Sequence, residues 1–179
     1  PAGYPTVDGS VELLTAMVFL DLSGSVTTFA AQNLGAGQPG RIRDGLLRTT
    51  GLALALTVLV AAVTLIGHRW IAGLFTTDGP TRAVAAHYIL VVYPFFACYT
   101  VMVVGHGYLN GIGRTAGPLA CTVVAFLGVQ VPAAYLLSRW LGLDGVIWAV
   151  PLGWLAGLAY TALAVARHYP AAARDPVPP

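Results

Sequence analysis

The feature that most constrains this chain is a series of long apolar segments that contain almost no charge. One of them, LALALTVLVAAVTLIG from Leu52 to Gly67, has no charged residue. Only 9% of the 179 residues are Asp, Glu, Lys or Arg, whereas soluble domains carry about 25%. A helix needs roughly 20 mostly apolar residues to cross a bilayer. The chain is therefore predicted to be an all-α, polytopic integral membrane protein.

Clusters of Gly, Pro, Asp and Arg divide the apolar sequence into spans. We predict five transmembrane helices, at about 11–34, 46–74, 81–110, 118–139 and 146–168. Their short connections predict that consecutive helices are antiparallel neighbours. The first ten residues begin with Pro and lack the basic region and apolar run of a signal peptide, so we expect a truncated lead-in. The Pro/Ala-rich segment 169–179 is predicted to be a disordered tail.

The arginines predict the orientation of the chain, because cytoplasmic loops hold the excess of positive charge. The chain has nine Lys and Arg residues, all of them Arg, and a net charge of +2. One side would hold Arg41, Arg43, Arg48, Arg114, Arg167 and Arg174, and the other Arg69, Arg82 and Arg139. The richer side, with the C-terminus, is predicted to be cytoplasmic, in a bacterial plasma membrane. Arginines scattered in this way do not indicate nucleic-acid binding.

A glycine motif in NLGAGQPGR raises the alternative of a dinucleotide-binding enzyme. Gly35, Gly37 and Gly40 have the spacing G-x-G-x-x-G, which is meaningful only after a buried strand and before an acid about 20 residues on. The preceding apolar segment is too long for a strand, no such acid follows, and Pro39 removes an N–H group. We therefore predict a tight turn between two membrane helices.

No other pattern in the chain indicates catalysis. We find no nucleophile–base pair and no metal-ligand spacing. Cys98 and Cys121 lie in apolar segments without ligand spacing and are interpreted as small packing residues. The chain is predicted not to be an enzyme and to bind no cofactor and no metal.

Several loops, in their order along the chain, resemble one family of transporters. FAAQNLGAGQPGRIRDG, GLFTTDGPTRAVAAHYI and YLNGIGRTAGP resemble loop motifs of the MATE (multidrug and toxic compound extrusion) family. VPAAYLL and LGLDGVIWA resemble the last two helices of that family and their connection. The resemblance extends over about residues 3 to 168, and the order of the motifs makes it specific.

The resemblance implies a function that this chain shares with a missing partner lobe. MATE proteins have twelve helices in two six-helix lobes and exchange sodium ions or protons for amphipathic drugs, often organic cations. This chain resembles the last five helices of the C-terminal lobe, so transport needs the N-terminal lobe as well. Three alternative interpretations remain: the chain belongs to a lipid-linked oligosaccharide flippase, it is a non-transporting remnant, or it is a subunit that depends on a partner.

Asp21 is the sharpest candidate for a transport residue. It lies near the middle of the first span, where a charged side chain costs about 2.5–3.5 kcal/mol on insertion scales. The adjacent hydroxyl residues could line a polar route with it or bond to the backbone; they are Ser23, Ser25, Thr27 and Thr28. The resemblance assigns no role to Asp21. The alternative is therefore that the neighbouring polar residues satisfy this carboxylate and that it has no part in transport.

Three further positions correspond to the family by resemblance. Glu12 matches an acid at the outer start of this helix, either a helix-terminal charge or a group that attracts cations. Gln32 and Asn33 match a family loop motif and are expected to pack closely beside Gly35 and Gly37.

The third span carries an aromatic and methionine stripe. Tyr88, Phe95, Tyr99, Met102 and His106 recur at helical spacing and share one face. Aromatic faces attract organic cations by about 0.5–2 kcal/mol each, although such a stripe also serves simply as a packing face. His106, between Gly105 and Gly107, is either a titrating group or a hydrogen-bonded structural residue. Some MATE proteins use an aspartate on this span for cation coupling, and this span has no acid, so the coupling ion, proton or sodium, is left open.

The fifth span has small residues at every fourth position. Ala149, Gly153 and Gly157 form a stripe of the kind that lets two helices approach closely. The stripe predicts a contact with another helix of the same chain.

Overall fold

A computed structural model describes the backbone of residues 7–172 and the side chains of residues 17, 20–74 and 76–168. Over this range the chain is helical and contains no strand, which confirms the predicted all-α class. The helices are α1 (Val7–Gly35), α2 (Pro39–Ile66), α3 (His68–Phe75), α4 (Gly79–Val92), α5 (Phe96–Gly111), α6 (Ala116–Thr122), α7 (Val131–Leu141) and α8 (Leu143–Ala172). The predicted lead-in and tail fall largely outside the described residues.

Within the described part of the chain, four helical rods are long and apolar enough to cross a membrane. They are Pro39–Ile66, Gly79–Gly111, Ala116–Leu141 and Leu143–His168. A 3₁₀ turn at Tyr93–Phe95 joins α4 to α5, and a π-helical segment at Val123–Gln130 joins α6 to α7. The predicted first span corresponds to α1, whose first turns have no described side chains. The assignment of α1 as a membrane span stays a prediction.

The rod Pro39–Ile66 begins and ends earlier along the chain than the predicted span 46–74. Helix α2 ends at Ile66, and α3 begins immediately after Gly67. The guanidinium group of Arg82, at the start of α4, donates two hydrogen bonds to the carbonyl oxygen of Arg69, at 2.8 and 3.0 Å. This contact draws α3 onto α4. The sequence did not reveal the break, because the apolar pattern continues through α3.

Helix α5 lies at the centre of the bundle and contacts α1, α2 and α8. Half of the apolar window of its rod, Gly79–Gly111, is buried, compared with 11% for Ala116–Leu141. The core on the α8 side of α5 contains Val92, Phe96, Met102, Val103, Cys121, Ile147 and Trp154. The outer face of Ala116–Leu141 remains apolar and exposed, as expected of a surface that lipid covers.

Asp78 caps the N-terminus of α4. Its Oδ2 atom accepts a hydrogen bond of 3.0 Å from the backbone N–H of Thr81. Hydrogen bonds from the side chain and the backbone of Thr81 hold the pKa of the Asp78 carboxyl below its ordinary value. A lowered pKa means that this contribution to stability is present at neutral pH and is lost as the pH falls through the pKa of the folded state.

We therefore expect Asp78→Ala to lower the thermal unfolding temperature slightly at pH 7 in the full product of the gene, purified in detergent. Asn also caps helices well, so Asp78→Asn should retain most of the stability. The difference between the wild type and the Ala variant should shrink at a pH below the pKa of Asp78. An equal difference at neutral and acidic pH would contradict a role for the ionised carboxyl.

Candidate transport face

Four polar residues lie on one face of α1, and all of them are exposed. Asp21, Ser25, Thr28 and Gln32 follow one another at spacings of four, three and four, which places them on one side of a helix. We call this set the polar stripe. Membrane-embedded acids almost always face a protein interior or a water-filled cavity, because lipid cannot solvate a carboxylate. If α1 spans the membrane, the polar stripe must face protein or water.

The hydroxyl groups of the polar stripe are satisfied on α1 itself. Ser25 Oγ donates to the carbonyl oxygen of Asp21 at 3.0 Å, and Thr28 Oγ1 donates to that of Gly24 at 3.2 Å. The carboxylate of Asp21, by contrast, forms no hydrogen bond or ion pair with any residue whose side chain the structure describes. Its neighbours therefore do not neutralise it within this bundle.

The other two hydroxyl residues of this segment point in the opposite direction, towards α5. Ser23 Oγ donates to the carbonyl oxygen of Val103 at 2.9 Å. Thr27 Oγ1 lies 3.1 Å from the carbonyl oxygen of Gly107 and 2.9 Å from that of Ser23. The bonds to Val103 and Gly107 join α1 to α5 between residues 80 positions apart in sequence, so Ser23 and Thr27 contribute to packing.

The contact between α1 and α5 is unusually close because α5 presents glycines to it. A Cβ atom built on Gly107 would overlap the carbonyl oxygen of Ser23. One built on Gly111 would lie 2.6 Å from the carbonyl oxygen of Thr27 and from the Cβ atom of Ala30. Small residues at such positions let helix backbones approach each other.

The glycine motif forms a turn between α1 and α2, as predicted. Asn33 is buried, and its Nδ2 atom donates to the carbonyl oxygen of Phe29 at 2.8 Å. Gly37 has a φ of +65°, a conformation that glycine adopts without strain. Apart from the chain neighbours and the backbone of α1, no described atom lies within 4 Å of a Cβ atom built on Gly35 or Gly37. The close packing of Gln32 and Asn33 beside these glycines stays a prediction. Gln32 is exposed and belongs to the polar stripe.

The aromatic and methionine stripe extends from α4 through the 3₁₀ turn into α5, and from Phe95 onward it packs against α8. The ring centroids of Tyr99 and Trp154 are 5.2 Å apart, and those of Phe95 and Trp148 are 6.1 Å apart in an edge arrangement. Met102 is 3% exposed. In this bundle the face is a helix interface, and the other four residues of the stripe are half-buried. Cation binding by the stripe stays a prediction.

The small-residue stripe of α8 forms the intramolecular contact that was predicted. The sulfur of Met102 packs on Gly157, and a Cβ atom built there would also lie 3.3 Å from that of Ala125. Gly153 faces Gln130, whose Oε1 atom would be 2.7 Å from an added Cβ. The stripe thus receives both α5 and the π-helical segment.

His106 belongs to a small hydrogen-bonded cluster between α5, α6 and α8. Its Nε2 atom lies 3.1 Å from the hydroxyl oxygen of Thr161, which is also 3.4 Å from the sulfur of Cys121. The Cys121 thiol donates to the carbonyl oxygen of Gly157 at 3.4 Å. Cys121 is buried and Cys98 half-buried, and both are free thiols. These contacts favour a structural role for His106.

The side chain of Glu12, which the resemblance singled out, lies outside the described residues. Among the residues searched, no group of three His, Cys, Asp or Glu side chains could hold a metal ion.

The family comparison decides the identity of this helical bundle. A family model described as MatE matches residues 7–136. This chain belongs to the MatE family. The match begins at the first described residue of α1 and includes the loop motifs from which the resemblance was inferred.

Curated relatives of this MatE chain are transport and drug-resistance proteins. It is 30% identical over 142 residues to a protein of Shewanella oneidensis named FAD transporter, covering 79% of this chain and 31% of the relative. It is 25% identical over 169 residues to a probable multidrug resistance protein of Bacillus subtilis, covering 94% and 36%. It is 26% identical over 137 residues to a multidrug export protein of Staphylococcus aureus, covering 75% and 29%. The chain thus spans about a third of the length of these relatives.

Solved structures show the same fold. An outward-facing MATE family transporter matches with a TM-score of 0.88 and 18% identity, over 95% of this chain and 39% of that one. An inward-facing structure matches with a TM-score of 0.85 and 18% identity, over 92% and 39%.

Two features of the MatE bundle were absent from our sequence interpretation. His87 Nε2 and Asp144 Oδ1 lie 3.2 Å apart and join α4 to the start of α8. The two residues are far apart in sequence, and nothing in either segment indicates a partner. A cavity of about 590 Å³ lies between α1 and α2. The cluster of arginines at the start of α2 was its only visible signal.

Proposed function

We propose that this chain forms part of a cation-coupled antiporter that exports amphipathic drugs or organic cations by alternating access. The observation that carries the proposal is the polar stripe of α1. In it the carboxylate of Asp21 lies among exposed hydroxyl and amide groups and has no partner among the residues whose side chains the structure describes. An acid in this position favours a water-filled route and attracts cationic solutes. It has no comparable use on a surface that lipid covers.

Membership of the MatE family supports transport of small molecules, since relatives are named as multidrug resistance and export proteins. The chain spans about a third of those relatives, so the antiporter needs a second lobe. The polar stripe of α1 is a suitable surface for that lobe or for the cavity between the two lobes. We do not expect the chain by itself to transport.

The arginine distribution supports a cytoplasmic position for the α1–α2 turn and for the C-terminus. Arg41, Arg43 and Arg48 lie beside that turn, whereas Arg69 and Arg82 lie around α3 at the other end of α2. Cysteine labelling from outside intact cells should therefore modify a cysteine introduced at Thr77 and not one introduced at Gln38.

Transport is tested with the full product of the gene reconstituted into lipid vesicles. A fluorescent organic cation should cross the membrane when an opposing proton or sodium gradient is imposed, and much less without one. Collapse by a protonophore would assign proton coupling, and dependence on sodium would assign sodium coupling. The proposal would be overturned if the cation crossed at the same rate with and without the gradient, and no faster than in vesicles without protein.

A second candidate substrate is a flavin dinucleotide, favoured by the 30% identity over 142 residues to the relative named FAD transporter. The same vesicles distinguish the two substrates. FAD efflux that organic cations do not inhibit would support FAD as the substrate. If dyes compete with one another for efflux and FAD is not exported, organic cations are the substrate.

A further inference from the structure

We propose that the cavity between α1 and α2 binds the phosphodiester headgroup of an anionic phospholipid. Residues from both helices line this cavity of about 590 Å³; they are Ser25, Val26, Phe29, Arg41, Asp44, Gly45, Arg48 and Thr49. This inference is independent of the exported substrate. It assigns to the fold a lipid site that is separate from the polar stripe, which meets the cavity only at Ser25.

Two guanidinium groups of the cavity are available to a ligand. Arg41 and Arg48 are seven residues apart, which places them two turns apart on one side of α2. Nη1 of Arg41 donates to Oε1 of Gln38 at 3.0 Å, and its other N–H groups form no hydrogen bond with the described part of the chain. Arg48 has no hydrogen bond or ion pair with any residue whose side chain is described. A guanidinium group matches the geometry of a phosphate with two parallel hydrogen bonds.

The acid in the cavity forms no ion pair with these arginines in the described part of the chain. This acid is Asp44, which lies one turn from Arg48 on α2. The lining therefore has two positive groups and one negative group. It repels organic cations and attracts an anion.

The position of Arg48 along α2 matches the depth of a lipid headgroup. From Thr49 to Ile66 the helix has no charged residue. At 1.5 Å per residue this stretch is about 27 Å long, close to the roughly 30 Å of a hydrocarbon core. Arg48 thus lies at the boundary of the core, where phospholipid phosphates lie, and Arg41 lies farther out.

The composition of the wall favours a lipid over a soluble phosphate. Val26 and Phe29 give the cavity an apolar side, and the hydroxyl groups of Ser25 and Thr49 add neutral polar groups. The ring of Phe29 packs directly on Gly45. An acyl chain covers such an apolar wall, whereas free phosphate leaves it in contact with water. Basic pockets between transmembrane helices are known to bind acidic headgroups.

The test is native mass spectrometry of the full product of the gene, extracted from vesicles of equal parts phosphatidylglycerol and phosphatidylcholine. We expect retained phosphatidylglycerol, with about a fivefold loss of retention for each of Arg41→Gln and Arg48→Gln. Arg43→Gln is the matched control, because Arg43 is exposed on the same helix and does not line the cavity. It should leave the retention unchanged.

A variant that binds more lipid cannot be explained by misfolding, so it complements the variants that lose binding. Asp44→Asn should increase the retention of phosphatidylglycerol, because it removes the only acid of the lining. Equal retention in the wild type and in the double Arg variant would overturn the proposal. An equal loss of lipid retention in Arg43→Gln would show that the lipid is held by diffuse attraction to the charged surface and not by this cavity. Displacement of the lipid by millimolar glycerophosphate would overturn its assignment to a lipid.

Discussion

Asp21→Asn is expected to reduce drug efflux by the full product of the gene on the order of tenfold, equivalent to about 1.4 kcal/mol. The substitution keeps the size and polarity of the side chain and removes its charge. Because Asp21 is exposed and lacks a partner among the described residues, its charge makes no contact whose loss would destabilise this bundle. Efflux of a fluorescent cation from cells, normalised to the amount of protein in the membrane, measures the effect.

The control for this prediction is Asp78→Asn, which removes the same charge outside the membrane and keeps a capping residue at α4. It should leave efflux unchanged. Normal efflux by Asp21→Asn at normal expression would remove Asp21 from the mechanism. A loss of efflux explained by a loss of expression would show instead that the carboxylate stabilises the fold, for example against the second lobe.

Gly107→Ala is expected to lower the free energy of unfolding by about 1–3 kcal/mol, the range for overpacking a filled interior. The added Cβ would overlap the carbonyl oxygen of Ser23 on α1 and approach its Oγ atom to 2.9 Å. A backbone oxygen cannot rotate away as a side chain can, so α1 and α5 would have to separate. Their separation would also weaken the hydrogen bonds from Ser23 to Val103 and from Thr27 to Gly107.

Thermal unfolding of the purified protein in detergent, followed by intrinsic fluorescence, measures this prediction. Gly51→Ala is the control, since a Cβ built at that position of α2 would have no described atom within 4 Å apart from its chain neighbours and the backbone of α2 itself. It should leave stability unchanged or raise it slightly, because Ala favours a helix more than Gly does. Equal unfolding temperatures for the wild type and Gly107→Ala would show that the α1–α5 contact is looser than the structure describes.

The candidate site was only partly visible in the sequence. Asp21 stood out because an acid within an apolar segment is costly wherever it faces lipid. Helical spacing places Ser25 and Thr28 on the same face as Asp21, and Ser23 and Thr27 on the opposite face, but it does not show the direction in which either face points. That direction depends on the position of α5.

The aromatic stripe illustrates the same limit. Helical spacing showed correctly that Phe95, Tyr99 and Met102 share a face of one rod. It could not show whether that face meets a ligand or another helix. The tryptophans of α8 cover it, and α8 approaches because its own glycines leave room.

The sequence by itself determined the class of the protein, most of the extent of its apolar helices, its glycine turn and its family. These properties are local. The length of an apolar helix can be compared directly with the thickness of a bilayer, and a turn depends on the conformations that its own residues allow. Only the tertiary structure decided the break after Ile66, the His87–Asp144 pair, the approach of α1 to α5 and the arginine-lined cavity. Each of these depends on side chains distant in sequence, whose relative positions are set by the packing of whole helices.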